Sequence, residues 1–213
     1  MSFTVYDFRT DIRNVLVTPQ IRSRFLRMEP GQVAVSHSHD LGHEIFLVLQ
    51  GAAEFDIEGD KKVIRPGQLC VALTDEMHQV RVVGDEPMIM YLSVTPHIQP
   101  THTFWTEHGN KQPPRFAPDS AYDVTPSPSS TTEQHIDEHL KRVDAIKEAV
   151  QAFATSQHYQ AANMRQAIAD RDDQAARDAR AAMWETIYPL FQSVYTMGDV
   201  WNALTASLEP SSE

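Results

Sequence analysis

Short β-rich runs separated by turn residues fill the sequence from about residue 21 to residue 94. Pairs such as Pro30-Gly31, Gln50-Gly51 and Pro66-Gly67 interrupt the runs, and helical periodicity is absent there. Antiparallel sandwiches and barrels have this pattern, so the sequence predicts a mainly β domain. The expected strands cover residues 21–28, 32–39, 44–49, 52–57, 62–64, 69–73, 79–83 and 88–95.

Two histidines and a glutamate stand at metal-binding spacings within this β region. His37 and His39 are two residues apart, so on an extended strand their rings project to the same face. Glu44 follows a turn-prone segment, residues 40–42, that can return a carboxylate beside the two rings. Imidazole nitrogens and a carboxylate oxygen suit zinc, iron, manganese, cobalt, copper or nickel. The spacing therefore predicts a transition-metal site.

The spacing of these two histidines, the glutamate and two flanking glycines resembles the first signature motif of the cupin superfamily. That motif is Gly, five residues, His-x-His, three or four residues, Glu, six residues, Gly. Every fixed position is present, at Gly31, His37, His39, Glu44 and Gly51.

The second cupin motif is matched only in part. Gly67 and His78 are in register, whereas Leu73, Asp75 and Val82 stand where proline, glycine and asparagine are usual. Asp tolerates left-handed backbone geometry better than most residues, so Asp75 is expected to take the turn that glycine normally occupies. The fourth metal ligand, His78, is kept.

The resemblance implies a double-stranded β-helix, or jelly-roll, barrel over about residues 21–95. It also implies one divalent transition metal ion per chain, Fe, Mn, Zn or Ni, bound by His37, His39, Glu44 and His78. Three nitrogens and one oxygen leave open positions for water or substrate. The competing interpretation is a barrel that has lost its metal, which the presence of all four ligands disfavours.

Other histidines are assigned different roles. His43 should face away from the site and lie at the rim or surface. His97 and His102 lie in a proline-rich stretch and would cap the barrel mouth. For all three, an exposed or hydrogen-bonded structural role is favoured over metal ligation, because histidine alone does not indicate a ligand.

Strand alternation predicts a largely apolar cavity wall beside the metal. Such a wall suits a small organic ligand that carries its own oxygen donors. The residues expected on the inner faces are Val33, Val35, Phe46, Val48, Val80 and Val82.

Phe46, Arg24 and Tyr91 are the candidate substrate-binding residues, and the sequence identifies no catalytic residue. Arg22 shares a strand face with Arg24, and an arginine that points inward would bind a carboxylate through two hydrogen bonds. The alternative places both arginines on the surface of an edge strand.

The rest of the chain predicts an α extension, with domains at residues 1–95 (barrel), 96–130 (a proline-rich linker that wraps the barrel) and 131–213 (about three helices). A Ser-x-x-Glu capping box at Ser130 to Glu133 begins the first helix. Segments 159–169 and 170–194 predict two more helices, with a kink expected at Pro189. The apolar stripe of the first helix contains Ile136, Leu140, Val143, Ile146, Val150 and Phe153.

The outer face of one predicted strand is also apolar. Ile45, Leu47 and Leu49 alternate with the inward residues, so both faces of this strand should be covered. The cover is either a second subunit, because similar cupins commonly form dimers, or the C-terminal helices.

Composition limits the partners and the compartment. A formal net charge of -11 and the excess of acidic over basic residues after Thr131 disfavour nucleic acid and anionic membranes as partners. The single cysteine, Cys70, lies in an apolar run and predicts a buried thiol in a reducing compartment. We therefore expect a cytoplasmic homodimer with a small-molecule ligand.

Two functions fit these features. The first is a metalloenzyme of the dioxygenase, isomerase or lyase type that acts on a small oxygen-bearing organic molecule, with the reaction inferred from superfamily analogy. The second is a non-catalytic module that senses a metabolite or a metal and uses its helices as an interaction surface. An enclosed pocket with a titratable group beyond the four ligands would favour the enzyme.

Overall fold

A computed structural model describes residues 2–125 and 130–210. The described chain separates into two compact units, one from residues 2–125 with 205–210, and the other from residues 130–204. Pro126 and Pro128 of the predicted linker, and the end of the predicted helical region at residues 211–213, lie outside the described residues. The predicted domain boundaries therefore stay a prediction.

Two antiparallel sheets form the first unit. The five-stranded sheet has the order β1-β2-β8-β3-β6, and the three-stranded sheet has the order β5-β4-β7. This is the double-stranded β-helix fold that the sequence predicts, with helices after it. The strands are β1 Asn14–Thr18, β2 Ile21–Met28, β3 His43–Gln50, β4 Ala53–Ile57, β5 Asp60–Ile64, β6 Leu69–Ala72, β7 His78–Val82 and β8 Met88–Thr95.

The hydrophobic core lies between the two sheets. β3 alternates as predicted: Glu44, Phe46 and Val48 are buried, and the residues between them are partly exposed. Val80 and Val82 on β7 are buried too, as predicted. Removal of these side chains from water is the main stabilising contribution to the unit. The core contains Met28, Phe46, Val48, Ala53, Phe55, Ala72, Val80, Val82, Met88, Met90 and Leu92.

The predicted strand at residues 32–39 is wrong as a regular strand. The segment makes only isolated bridges, Val33 to Arg81, His37 to His78 and Ser38 to Thr103, and the first two join it to β7. Residues 33 and 37 are four positions apart, whereas their partners, residues 81 and 78, are three positions apart. The segment therefore contains one extra residue, which reverses the alternation of side chains, as in a β-bulge. Consequently Val33 and Val35, predicted to face inward, are 40% and 68% exposed.

Two tightly constrained backbone positions lie close in sequence to the predicted metal ligands. Asp75 has φ +65°, as predicted for the residue that replaces the usual glycine, and its N–H donates to the His39 carbonyl at 2.9 Å. At Gly42, an added Cβ would lie 2.7 Å from the carbonyl oxygen of Thr95. Glycine is therefore required beside β8, just before the strand that carries Glu44.

The second unit contains two long helices, α1 Thr132–Asp170 and α2 Asp173–Ala206, the last residues of α2 belonging to the first unit. The predicted break near residue 159 is wrong, because apolar spacing continues without a stop signal. The capping box lies one residue later than predicted: Gln134 N–H donates to the Thr131 hydroxyl, and the Gln134 side chain accepts from Thr131 N–H. α2 continues through Pro189.

Contacts between the two helices show an antiparallel hairpin. The Gln157 amide donates to the Met183 carbonyl at 2.9 Å, and the rings of His139 and Trp201 lie 5.6 Å apart. Ala167 and Ala179 are buried near the turn. Small residues at this position let the two helices approach closely before the chain reverses.

Candidate metal centre

Four side chains from different parts of the first unit converge on one point. Glu44 extends from β3, and His78 begins β7. His37 pairs with His78 through two backbone hydrogen bonds of 2.8 and 3.1 Å, which bring their rings together. His39 lies two residues further on. Potential ligand atoms of all four residues lie within 4.8 Å of one another.

The Glu44 carboxylate is at the centre of this cluster. Its Oε2 lies 2.9 Å from Nε2 of His39, 3.0 Å from Nε2 of His78 and 3.9 Å from Nε2 of His37. The Nε2 atoms of His37 and His78 are 3.2 Å apart. The predicted ligands are therefore brought together.

Main-chain carbonyls orient all three rings. Nδ1–H of His37 donates to Val35 O at 2.8 Å, and Nδ1–H of His78 donates to Glu76 O at 2.9 Å. Nδ1 of His39 makes the corresponding contact with the carbonyl of Thr101. In the neutral form, a ring that donates from Nδ1 has an unprotonated Nε2. Each ring therefore presents its lone pair towards Glu44.

Burial and mutual charge set the protonation of the site. Burial raises the pKa of the Glu44 carboxyl, but His39 and His78, which donate hydrogen bonds to it when their Nε2 atoms are protonated, outweigh burial, so the pKa lies well below its ordinary value. Burial, with a contribution from His78, lowers the pKa of His37 to about 4. At neutral pH the site therefore combines a carboxylate with a neutral His37 ring.

This donor set fits a divalent transition metal ion. When all three rings are in the neutral form, they and the carboxylate present four lone-pair donors with no proton between them, which is unfavourable unless a cation lies at the centre. Hydrogen bonds from Nδ1 to carbonyls are the outer contacts that orient histidine ligands. The residues that would hold the ion are His37, His39, Glu44 and His78.

A cavity of about 390 Å³ adjoins the cluster. His37, Glu44 and His78 form its metal-site end, and most of the remaining lining is apolar. Arg22, Arg24, Arg115 and His102 add polar groups. The rest of the lining is Leu26, Met28, Ala34, Phe46, Gln79, Val80, Met90, Leu92, Phe104, Phe116, Ala117, Ala121 and Tyr122.

Two of the three predicted substrate-binding residues line this cavity, and one does not. Phe46 and Arg24 are part of the lining. Tyr91 is on the opposite face of β8, where its hydroxyl donates to Ser23 Oγ at 3.0 Å and its ring packs edge-on against Phe25. Strand alternation explains this position, because Met90 and Leu92 on either side face inward.

The remaining predicted histidines have different surroundings. His43 is exposed, as predicted, and its Nδ1 accepts a hydrogen bond from Thr74 N–H at 3.0 Å. His97 is buried edge-on against Tyr122. His102 lies at the site, its ring centroid 4.7 Å from that of His37, and burial followed by the charge of His37 lowers its pKa to about 2.

The proline-rich stretch supplies cavity residues that sequence reasoning missed, including Phe104, Phe116 and Tyr122. Trp105 Nε1–H donates to the buried Ser38 hydroxyl at 3.0 Å, and Asp123 accepts from Asn14 at 2.8 and 2.9 Å. These contacts bind the stretch to the barrel. Its aromatic content was the only available signal, because it has no periodicity.

None of the helices within residues 2–125 and 130–210 combines the length and the apolar character that crossing a membrane requires.

Part of the chain is similar to a known protein family and to two curated proteins. Residues 24–95 match the family described as Cupin domain. Polyketide synthase CurC of Streptomyces cyaneus is 32% identical over 91 residues, which are 40% of this chain and 59% of that protein. Pectin degradation protein KdgF of Dickeya dadantii is 36% identical over 50 residues, 24% of this chain and 46% of that protein. The matches thus span about half the length of these relatives.

Among solved structures, an uncharacterised double-stranded β-helix protein from Klebsiella pneumoniae matches with a TM-score of 0.42 and 24% identity. The match covers 45% of this chain and 91% of that one. The family match at residues 24–95 covers the part of the chain that contains most of β2 and all of β3 to β8.

Proposed function

We propose that this chain is a metalloenzyme that acts on a small oxygen-bearing organic molecule in the cavity beside the His37, His39, Glu44 and His78 cluster. The observation that carries the proposal is the set of three histidines whose Nε2 atoms face one buried carboxylate. A divalent ion bound there supplies a Lewis acid, and a redox-active ion also supports dioxygen chemistry.

The cavity supports an enzyme more than a sensing module. It places Arg22, Arg24, Arg115 and His102 next to the cluster, so titratable or charged groups are available beyond the four ligands. Its apolar walls exclude bulk water, which strengthens polar contacts to a bound molecule. His102, with its lowered pKa, provides a neutral hydrogen-bonding group, and its Nδ1 lies 3.0 Å from the Thr101 hydroxyl.

The wider proposal is a cytoplasmic homodimer with a small-molecule ligand and without a nucleic-acid or membrane partner. The net charge of -11 supports the absence of a nucleic-acid or membrane partner, because a negatively charged protein repels phosphate groups. Exposed apolar side chains on α1, such as Leu140 at 56% and Val150 at 46%, support the dimer.

Metal content of purified and reloaded protein tests the site. Protein dialysed against chelator and then against zinc, manganese, iron or nickel should hold one ion per chain by elemental analysis. His39→Ala removes a central donor and should weaken metal binding more than about 100-fold. His43→Ala is the matched control, because His43 is the histidine next to Glu44 on β3 but is exposed. Equal metal content in wild type and His39→Ala would contradict the proposed site.

Turnover separates the two candidate functions. The loaded protein is incubated with small hydroxy, keto and unsaturated acids and with sugars, and products are measured by mass spectrometry. An enzyme forms product in excess over protein, and His39→Ala abolishes this. Saturable binding without any product would instead favour the sensing module.

A further inference from the structure

Two arginines on one strand face the cavity beside the metal cluster. Arg22 and Arg24 are two residues apart on β2, so their side chains lie on the same face. Both line the cavity together with His37 and Glu44. Arg22 is only 4% exposed. The edge-strand alternative is therefore wrong, and two guanidinium groups lie inside the barrel.

Both guanidinium groups lack an acidic partner within residues 2–125 and 130–210. The Nε atoms of Arg22 and Arg24 are buried without a hydrogen-bond partner. Arg22 lies over the ring of Tyr122, with its Cζ 5.4 Å from the ring centroid, and this contact supplies no hydrogen-bond acceptor. Buried arginine is normally paired, because an unpaired buried charge is strongly unfavourable.

The carboxylates whose charge acts on Arg24 are occupied elsewhere. Asp123 accepts hydrogen bonds from the backbone and side-chain nitrogens of Asn14 at 2.8 and 2.9 Å. Glu44 faces the histidines of the metal cluster. Two adjacent positive charges thus remain, and burial followed by the charge of Arg22 lowers the pKa of Arg24.

We propose that Arg22 and Arg24 form a carboxylate-binding subsite, so that the substrate is a small organic acid. Its carboxylate accepts hydrogen bonds from both guanidinium groups, and its remaining oxygens face the His37, His39, Glu44 and His78 cluster. The two oxygens of a carboxylate match the planar, forked donors of arginine. This inference rests on the proposed function for the role of the bound acid, but the subsite itself requires only β2.

The apolar cavity walls beside the arginine pair and the metal cluster limit the size and polarity of the acid's carbon skeleton. Leu26, Met90 and Leu92 line the cavity alongside the arginines, so the carbon skeleton contacts aliphatic side chains. A cavity of about 390 Å³ holds a molecule of a few to about ten carbon atoms.

Calorimetric titration of metal-free protein tests the subsite independently of the metal. The probes are benzoate and malonate, with benzamide and malonamide as uncharged isosteres and inorganic phosphate as a second anion. Wild type should bind at least one of the two acids saturably and bind neither amide. Equal binding of acids and amides, tighter binding of phosphate, or no binding of either acid would overturn the proposal.

Variants identify the residues that bind the acid. Arg22→Gln and Arg24→Gln should each weaken acid binding about tenfold or more, since each removes charge-assisted hydrogen bonds. Arg27→Gln is the control, because Arg27 is on the same strand but pairs with Glu29 at 2.8 Å outside the cavity. If both Gln variants bind the acids as wild type does, the proposal is wrong. If either variant fails to fold, the comparison of acids with amides on wild type still decides.

Failure of the subsite and failure of the proposed function give different results. Metal binding without acid binding overturns the carboxylate subsite and leaves the metalloenzyme. Acid binding by a protein that never holds a metal ion supports the subsite and contradicts the metal site.

Discussion

At the residue scale, hydrogen bonds to the main chain explain how a short motif specifies a metal site. His37 and His78 donate to carbonyls two residues away, Val35 and Glu76, so local backbone geometry orients both rings. His39 instead contacts the carbonyl of Thr101, 62 residues along the chain. The motif therefore identifies the ligands, but one outer contact depends on the proline-rich stretch.

His97 predicts a measurable pH dependence of stability. Burial, together with the charges of Arg22 and His39, lowers its pKa from 6.5 to about 3. The unfolded chain therefore binds a proton that the folded chain rejects, so the free energy of unfolding falls as pH decreases from about 6.5 towards about 3. His97→Gln should reduce this slope by up to about 1.4 kcal/mol per pH unit.

Urea unfolding of metal-free wild type and His97→Gln at a series of pH values measures the two slopes. The slope is compared instead of the stability itself, because replacement of a buried side chain also destabilises the fold. His108→Gln, at an exposed position, is the control and should keep the wild-type slope. Identical slopes for wild type and His97→Gln would show that this imidazole is not responsible.

At the element scale, the strands and the metal ligands follow from the sequence, but part of the cavity does not. The predicted strands at residues 21–28 and 88–95 coincide with β2 and β8, because their composition and turn residues are local signals. β1 was not predicted. The prediction of a regular strand at residues 32–39 was wrong. Its extra residue opposite residues 78–81 arises from pairing with another strand, and such pairing is not a local signal of the sequence.

The same limit applies to the helices and to the proline-rich stretch. Apolar spacing predicted the helix. The capping box was predicted at Ser130 but lies at Thr131, and sequence alone does not separate the two because both residues have a suitable partner three positions later. The cavity residues Phe104, Phe116 and Tyr122 lie in a segment without regular structure, where the face of each side chain cannot be obtained from periodicity.

The turn between β3 and β4 depends on Gly51. Its φ is +67°, and an added Cβ would lie 2.6 Å from Pro87 O. Gly51→Ala should therefore lower the free energy of unfolding by about 3 kcal/mol, from backbone strain plus displacement of the neighbouring chain. Gly59→Ala is the control: φ is +83° but no atom lies within 4 Å, so about 1 kcal/mol is expected.

Thermal or urea unfolding of the two variants measures this difference. A larger loss for Gly51→Ala supports the close approach of Pro87 as the cause. Equal losses would mean that only the left-handed backbone matters and that the segment before β8 moves away at little cost.

At the scale of the whole molecule, α1 and α2 leave part of each other's apolar surface uncovered. On α1 the exposed stripe has the spacing of a coiled-coil seam, and α2 adds three large aromatic residues. A helix of this length is stable in water mainly through packing of its apolar face. The exposed residues are Ile136 (40%), Leu140 (56%), Val143 (45%), Val150 (46%), Trp184 (56%), Tyr188 (50%) and Phe191 (57%).

We expect a second copy of the chain to cover this stripe, since two equivalent amphipathic helices bury each other's apolar faces in a symmetric dimer. Sedimentation equilibrium of wild type should give a dimer at micromolar concentration. Leu140→Glu with Val143→Glu places charges in the stripe and should give a monomer that keeps its metal. Lys141→Glu, at a side chain that is 72% exposed, is the control for added negative charge and should remain dimeric. A monomeric wild type, or a dimer that both glutamates leave intact, would exclude the stripe as the interface.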